Sequence, residues 1–405
     1  MKEIFVRNFG PIKDGFNGKM MPVYPITLFC GDQGSGKSTM AKLISSFSWL
    51  EKALIRGDVK EKWITQYNRY VNNHCAYHNI QNYFKEDTEL RFKGTNYKFI
   101  YKKSKFYIEE LNNNKDFLMP QIMYVPAERN FMSVIEDAEK IKNLPHSLST
   151  MLAEYEKAKK NIGAKITLPI EGYSFQYDKL NKVSWLVGEG FKLRLHEAAS
   201  GFQSLIPLIL VTRYLANKIL VQDEGSHNKS SVEMSERLEK RIKQLLYDDT
   251  LNDNIRTSLI NQLNTLYKND CFLNIVEEPE QNLFPKSQKN ILMELLSAFN
   301  SHPGNGLIIT THSPYIVNYL TLAIKSNEIK CEDDLIKARL ENIVPEHSRI
   351  SSKNVCIYEI NNNGSIRELE KFMDIPSDEN FLNTSLRESD ELFGELLEIQ
   401  DLCAR

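Results

Sequence analysis

The sequence predicts an α/β fold in which a mixed, largely parallel core sheet is combined with an antiparallel β meander and helical insertions. Three observations support this prediction. Short, almost wholly apolar segments that fit buried strands recur at residues 26–30, 272–276 and 307–310. The first of them is followed by a helical spacing of apolar residues over 39–52. Alternating apolar and polar residues between 90 and 108 are typical of meandering strands.

Composition narrows the class of protein. The chain has 405 residues, of which 41% are hydrophobic, so it can bury a substantial core. No apolar run approaches the roughly 18 residues that span a bilayer, and the first residues lack the apolar stretch of a signal peptide. Six cysteines lie far apart without a CxxC pair, which indicates reduced thiols. We therefore expect a cytoplasmic protein without a membrane partner.

Net charge bears on nucleic acid as a partner. The formal net charge is −2, so the chain has no overall basic excess of the kind that favours binding to DNA. The net charge does not show how the charged residues are distributed over the surface. Binding of DNA in a local basic groove therefore remains an alternative.

We expect one domain over residues 1–405 that carries two insertions and a tail. The insertions are a β meander with a helical lid at 53–165 and a helical hairpin at 224–268. A β-hairpin is predicted around the Asn-Asn-Gly turn at 362–364. The acidic tail at 370–405 is interpreted as a solvated helix face.

The first chemical motif is a glycine-rich loop between a predicted strand and a predicted helix. Residues 31–38 read Gly-Asp-Gln-Gly-Ser-Gly-Lys-Ser, which fits the P-loop pattern G-x-x-x-x-G-K-[ST]. Backbone N–H groups of such a loop curl round phosphates, and the helix N-terminus adds its positive end. Lys37 would reach the β- and γ-phosphates, and Ser38 would bind Mg²⁺. The predicted nucleotide-binding residues are Gly31, Gly34, Ser35, Gly36, Lys37, Ser38 and Thr39. The alternative is a glycine-rich turn with an incidental Lys-Ser.

The second motif is a pair of adjacent carboxylates, Glu277 and Glu278, which follow the apolar segment 272–276. Ligands of α/β sheets bind at the carboxyl ends of the strands. Glu277 suits a magnesium site, directly or through water. Glu278 suits the polarisation of an attacking water. The alternative is an ordinary acidic loop.

Two weaker features complete the set. His312 ends another buried segment, where it could contact a γ-phosphate or the water near it, although a lone histidine at a strand end is more often structural. Ser200 and Gly201, with Gln203, begin a predicted helix, whose N-terminus can bind phosphate. The alternative for Ser200 is a simple helix N-cap.

Together these motifs resemble the ABC ATPase superfamily, and specifically its SMC-like, OLD-like branch, whose members carry the Glu-Glu-Pro-Glu found here at 277–280. Segments 6–12 and 124–130 are also similar to that branch. The resemblance implies an ABC-type ATPase head that uses ATP and Mg²⁺. It also implies a homodimer or higher ring with shared sites, in which Ser200 and Gly201 of one subunit cap ATP held by the other.

The resemblance assigns roles to individual residues. Catalytic roles fall to Lys37, Glu278 and His312, the last as a switch histidine. Metal-binding roles fall to Ser38, Glu277 and Gln121, the last as the nearest candidate for a Q-loop glutamine, with segment 124–130 as the alternative for that role. The loop at 279–282 would communicate between the two sites. The signature reads Ser-Gly-Phe-Gln, which departs from the Leu-Ser-Gly-Gly-Gln of transporters.

Stand-alone members of this size resemble the ATPase subunits of bacterial anti-phage defence systems such as PARIS and Septu. That resemblance implies an ATP-hydrolysing sensor and scaffold that holds and releases a separate toxic effector, such as a nuclease, on a phage-encoded trigger. One alternative is an SMC-like DNA-repair or DNA-binding ATPase, which the lack of a long coiled coil disfavours. A second is the ATPase subunit of an ABC transporter, which the large insertions disfavour.

Overall fold

The structure, a computed structural model, describes residues 1–111, 117–135, 141, 143–163, 165–223, 240, 242 and 268–404. The predicted helical hairpin at 224–268 therefore lies outside the described residues except at positions 240, 242 and 268. The predicted insertion at 53–165, which contains the meander and the lid, is described except at 112–116, 136–140, 142 and 164.

The strands and helices are named in chain order. The strands are β1 (Lys2–Phe9), β2 (Met21–Val23), β3 (Ile26–Gly31), β4 (Phe84–Lys93), β5 (Tyr97–Lys102), β6 (Lys105–Glu110), β7 (Pro120–Val125), β8 (Ile166–Thr167), β9 (Ser174–Asp178), β10 (Val183–Gly188), β11 (Phe191–Arg194), β12 (Cys271–Glu277), β13 (Gly306–Thr311), β14 (Val355–Ile360), β15 (Ile366–Glu368), β16 (Lys371–Phe372) and β17 (Ile375–Pro376). The helices are α1 (Lys37–Ile55), α2 (Glu61–Ile64), α3 (Phe131–Val134), α4 (His146–Asn161), α5 (Ser200–Asp223), α6 (Pro285–Asn300), α7 (Pro314–Glu328), α8 (Asp334–Ile343) and α9 (Phe381–Ala404).

The core sheet has the strand order β15-β14-β3-β13-β12-β7. All its neighbours pair in parallel except the β14–β15 hairpin at one edge. An antiparallel sheet of order β2-β1-β4-β5-β6 contains the predicted meander, and a second antiparallel sheet has the order β11-β10-β9-β8. These arrangements confirm the predicted class, a mixed and largely parallel α/β fold with an antiparallel meander.

Both faces of the core sheet are buried. Alternate residues of β3 face opposite sides, because successive side chains of a strand point in opposite directions. Leu28 and Cys30 join an apolar cluster with α4, α5, α6 and α7, whereas Phe29 joins a second cluster with α1 and the meander. This two-sided burial explains why the core strands are almost continuously apolar in the sequence.

Helix α5 contains Pro207, whose nitrogen has no hydrogen to donate to the carbonyl of Gln203 four residues earlier. The hydroxyl of Ser133 donates to that carbonyl at 2.7 Å. The next carbonyl, that of Ser204, accepts from Nε of Arg129 at 3.2 Å. The first turns of α5 are thus hydrogen-bonded to the segment that follows β7, which ties this helix to the edge of the core sheet.

Helix α1 is anchored to the core sheet by a buried lysine. Nζ of Lys52 donates to the carbonyl of Pro120 in β7 and to Oδ1 of Asn269. Burial lowers the pKa of this amine from 10.5 to about 7. None of the helices that the structure describes is both long and apolar enough to cross a bilayer.

The buried amine predicts a pH dependence of stability. Its pKa of about 7 in the folded chain lies below its ordinary value of 10.5, so the folded chain binds fewer protons above pH 7. The free energy of unfolding should therefore rise with pH, by at most about 1.4 kcal/mol per pH unit from this group. In urea titrations at pH 7.5 and 8.5, Lys52→Met should flatten the rise, whereas the surface variant Lys62→Met should keep it. An equal slope in Lys52→Met and wild type would contradict the assignment.

Candidate functional site

Three of the predicted groups, the glycine-rich loop, His312 and Glu278, lie at the carboxyl ends of three neighbouring parallel strands. The glycine-rich loop follows β3, His312 follows β13 and Glu278 follows β12, and β13 pairs with both of the other strands. Because paired parallel strands end at the same edge, residues that are far apart in sequence meet there. Crevices at this edge are the usual ligand sites of open α/β sheets.

Two glycines of the loop have conformations that a side chain would not permit. Gly31 has φ +139°, and a Cβ there would lie 2.2 Å from the carbonyl oxygen of Ile360. Gly36 has φ +113°, and a Cβ there would lie 2.5 Å from Cδ1 of Ile12. The loop consequently turns its backbone tightly against β14 and the segment after β1 before α1 begins at Lys37.

Lys37 is buried at the end of this loop. Its Nζ donates to the carbonyls of Gly31 at 3.0 Å and Asp32 at 2.7 Å, and it lies 3.2 Å from Nδ1 of His312. Burial lowers the pKa of the Lys37 amine to about 8, a shift that the negative charge of Glu278 partly opposes. An anion in the loop would oppose this lowering of the pKa, since it would give the ammonium group a partner of opposite charge.

His312 connects Lys37 to Glu278. An ammonium group only donates, so Nδ1 of His312 must accept from Lys37, and the ring hydrogen is then on Nε2. Nε2 lies 3.0 Å from Oε1 of Glu278 and donates to it. This hydrogen bond is the largest cause of the lowered pKa of Glu278, which therefore stays ionised at neutral pH. The geometry orders the three side chains as cation, neutral imidazole and carboxylate.

The backbone of Glu278 is in the left-handed region, at φ +44°. Few residues other than glycine adopt this conformation, and it persists where surrounding contacts impose it. The N–H of Glu278 donates to the carbonyl of Thr310 at 2.8 Å, and its own carbonyl accepts from Nη2 of Arg129 at 2.6 Å. Hydrogen bonds on both sides of the residue thus hold the turn that aims its carboxylate at His312.

Glu277 is buried at the end of β12, on the side of β7. The hydroxyl of Tyr124 donates to its Oε1, and the N–H of Ala127 lies 3.3 Å from its Oε2. Burial raises the pKa of Tyr124 well above 10, so the phenol remains a donor. One lone pair of each carboxylate oxygen is used in this way, and the others stay available to a cation or a water.

Arg129 supports the candidate site through the two-glutamate turn, and the sequence motifs did not identify it. Its side chain is fully buried, and it donates to backbone carbonyls of Ser204, Pro126, Glu277 and Glu278 at 2.6–3.2 Å. Burial lowers its pKa to about 10, so it stays charged at neutral pH. One guanidinium therefore joins helix α5 to the two-glutamate turn. Only the resemblance pointed to segment 124–130, as similar to that branch and as the alternative to Gln121, because an arginine in a connecting segment gives no sign that it is buried.

The loop that follows the two glutamates is tied to His312. Oε1 of Glu280 accepts from the hydroxyl of Thr311 and from the N–H of His312, both at 2.7 Å. Burial raises the pKa of Glu280. Its Oε2 is buried and finds no hydrogen-bond partner in the part of the chain that the structure describes. The position of the histidine backbone thus depends on a carboxylate from the neighbouring strand end.

Ser200 and Gly201 begin α5, where Ser200 is exposed and Gly201 contacts the same loop. A Cβ on Gly201 would lie only 2.6 Å from the carbonyl oxygen of Asn282. Nε2 of Gln203 donates to the carbonyls of His196 and Ala198 at 3.0 and 2.8 Å, so this amide holds its own turn together. Within the described part of the chain, no hydrogen bond joins this turn to the glycine-rich loop.

Gln121 is not brought to the site. It lies near the start of β7, opposite Phe272, whereas Val125 at the far end of that strand pairs with Val276. Its side-chain oxygen accepts from Nδ2 of Asn269 at 2.9 Å. The assignment of Gln121 to the metal is therefore wrong, because Gln121 lies near the start of β7, at the end of the strand that is remote from the site.

The remaining loop residues fit a polyphosphate. The hydroxyl of Ser35 is buried and has no hydrogen-bond partner among the described residues, which is costly unless a ligand supplies one. A Cβ on Gly34 would meet nothing within 4 Å, so the loop is open on that side. Ser38 is half-buried and Thr39 buried in the first turn of α1, next to Lys37. Oxygen groups of Ser38, Glu277 and Glu278 are the ligand chemistry that Mg²⁺ prefers.

Arg129 yields a prediction about stability. Arg129→Met would leave four buried carbonyls without their donor, and we expect it to lower the free energy of unfolding by about 3–5 kcal/mol. Arg213→Met is the matched control in α5, since Arg213 forms a half-exposed ion pair with Glu294, a kind worth at most about 1 kcal/mol. Urea unfolding followed by circular dichroism measures both. Equal losses in the two variants would show that Arg129 does not hold the turn.

Comparisons with known proteins find only distant likenesses. No protein-family model matches the sequence, and no curated protein matches it. The SMC head domain from Thermotoga maritima aligns at 9% identity over 91% of this chain and 98% of its own, with a TM-score of 0.38. The Smc head domain of Pyrococcus furiosus, bound to the C-terminal domain of ScpA, aligns at 9% identity over 98% and 100%, with a TM-score of 0.37. A dimeric bacterial ABC transporter cassette aligns at 11% identity over 92% and 100%, with a TM-score of 0.23. TM-scores this low establish no relationship between this chain and those proteins.

Proposed function

We propose that the protein hydrolyses ATP in a Mg²⁺-dependent reaction. The observation that carries this proposal is the ordered contact of Lys37, His312 and Glu278 beside a glycine-rich loop, at one edge of a parallel sheet. A buried cation next to a backbone turn suits a phosphate chain. An ionised carboxylate in contact with a neutral histidine suits the activation of water at the end of that chain.

The residues of the candidate site have distinct tasks in this mechanism. The loop N–H groups and Lys37 bind the β- and γ-phosphates, while Ser38 and Glu277 would hold Mg²⁺, whose bound charge neutralises phosphate oxygens. Glu278 accepts a hydrogen bond from the attacking water and orients it. His312 holds the Glu278 carboxylate in place through Nε2, and Arg129 fixes the backbone on which that carboxylate sits.

We further propose that each ATP site is completed by a second copy of the chain. Ser200 and Gly201 are at the start of α5, so their N–H groups have no intrahelical acceptor. Gly201 packs closely on the carbonyl of Asn282. A head-to-tail pair of chains would place this turn against the nucleotide of its partner, as the resemblance to ABC ATPases implies.

The biological role that we propose rests on the resemblance of the motifs. The ATPase acts as sensor and scaffold of an anti-phage defence system, in which it holds a separate toxic effector, such as a nuclease, and releases it on a phage-encoded signal. The competing role is an SMC-like ATPase that acts on DNA directly. The two roles differ in whether DNA changes the rate of turnover.

The catalytic assignment is tested by Glu278→Gln. Removing the negative charge should lower kcat at least about 100-fold, because a general base contributes 10²–10⁴-fold to the rate. ATP binding should persist, because the amide oxygen can still accept from His312. Phosphate release measures turnover, equilibrium dialysis measures ATP binding, and mass photometry with ATP measures association. The exposed variant Glu332→Gln should behave as wild type.

Two results would overturn parts of this proposal. Unchanged turnover in Glu278→Gln would remove the carboxylate from the mechanism. Stimulation of the wild type by plasmid DNA, lost at high salt, would favour the DNA-binding role over control of an effector.

A further inference from the structure

Among the residues that the structure describes, helix α9 is buried against the core through its first turn. The side chains of Leu382 and Asn383 are buried, and the N–H of Phe381 donates to Oε2 of the buried Glu359 at 2.7 Å. From Leu386 onward, the described side chains of the helix are exposed. About 25 Å of helix, at 1.5 Å per residue, thus extends beyond its anchor.

The exposed part of α9 has one apolar face. At 100° per residue, all but one of its large apolar side chains fall within a sector of about 160°, and the exception is Leu402 near the C-terminal end. The residues of this apolar face are Leu386, Leu392, Phe393, Leu396, Leu397 and Ile399. Phe393 is 62% exposed and Leu396 is 61% exposed. The tail at 370–405 was predicted to be a solvated acidic helix face. That prediction fits only the polar side of this helix. Contiguous apolar surface of this kind marks an interaction site in most soluble proteins.

Charge identifies the kind of surface that would cover this face. Between residues 381 and 404 the sequence has six carboxylates and one arginine, a net charge of −5. On the helical projection Asp390 lies on one margin of the apolar face and Glu388 on the other. Glu391 and Glu398 lie near the middle of the polar side. An apolar face with negative margins fits a groove whose two rims are positive.

We propose that α9 is a docking helix that places its apolar face in a groove of a second, different protein, with lysine and arginine side chains on both rims of the groove. Helices bind grooves in this way through anchors spaced three and four residues apart. Pairing of α9 with α9 of another copy would bring carboxylates together along both margins, where like charges repel. Anionic lipid would repel the same margins. This docking is independent of ATP turnover.

A photo-crosslinking amino acid at position 393 identifies the partner in cells that contain the protein naturally. We expect crosslinks to one protein, through peptides that contain lysine or arginine. The same amino acid at position 180, an exposed turn residue between β9 and β10, is the control and should not crosslink that protein. Crosslinks to α9 of a second copy, to lipid, to many proteins alike, or to nothing would each overturn the proposal.

Charge reversal then tests the predicted rims with the purified partner. Glu388→Lys with Asp390→Lys changes the margins, and should weaken binding about tenfold and reduce its dependence on salt. Glu391→Lys with Glu398→Lys makes the same change of net charge in the middle of the polar side, and should weaken binding less than about threefold. ATP turnover should be unchanged in both variants. Equal effects of the two pairs on binding would refute the groove with positive rims.

Discussion

The parallel pairing of β3, β13 and β12 is the constraint on which the candidate site depends. Lys37 and His312 are 275 positions apart in the chain, yet their nitrogens lie 3.2 Å apart, because their strands are neighbours that end at the same edge. Glu278 joins them from the next strand. No local feature of any one segment could produce this contact. The two buried faces of the sheet hold the strands in register and therefore hold the side chains in order.

Buried charge fixes the backbone at this edge of the sheet. Arg129 donates to four carbonyls, among them those of both glutamates, and so stabilises a turn in which Glu278 has positive φ. A guanidinium suits this task, since it presents five N–H donors in a fixed plane. The same side chain binds α5, which begins with Ser200. Because Arg129 contacts both α5 and the turn that carries Glu278, a shift of that helix would be transmitted to the turn.

The sequence predicted the parts of the structure that depend on local pattern. Continuous apolar segments gave the buried strands, and alternation gave the meander at β4–β6, because strands with one or two buried faces leave these distinct signatures. The glycine-rich loop was predictable since Gly31 and Gly36 have conformations that other residues rarely adopt. The order of motifs along the chain likewise indicated which strand ends carry chemistry.

Other features were decided only by the tertiary structure. Gln121 is a few positions before Tyr124 in one strand, but only Tyr124 reaches Glu277, because the strand carries its start away from the site. The burial of Arg129 and the exposure of the apolar face of α9 were equally invisible in the sequence. Whether a polar residue is buried, or an apolar one exposed, depends on which distant segments pack against it. The sequence alone therefore determined the chemistry available at the strand ends, and packing decided which of those groups meet.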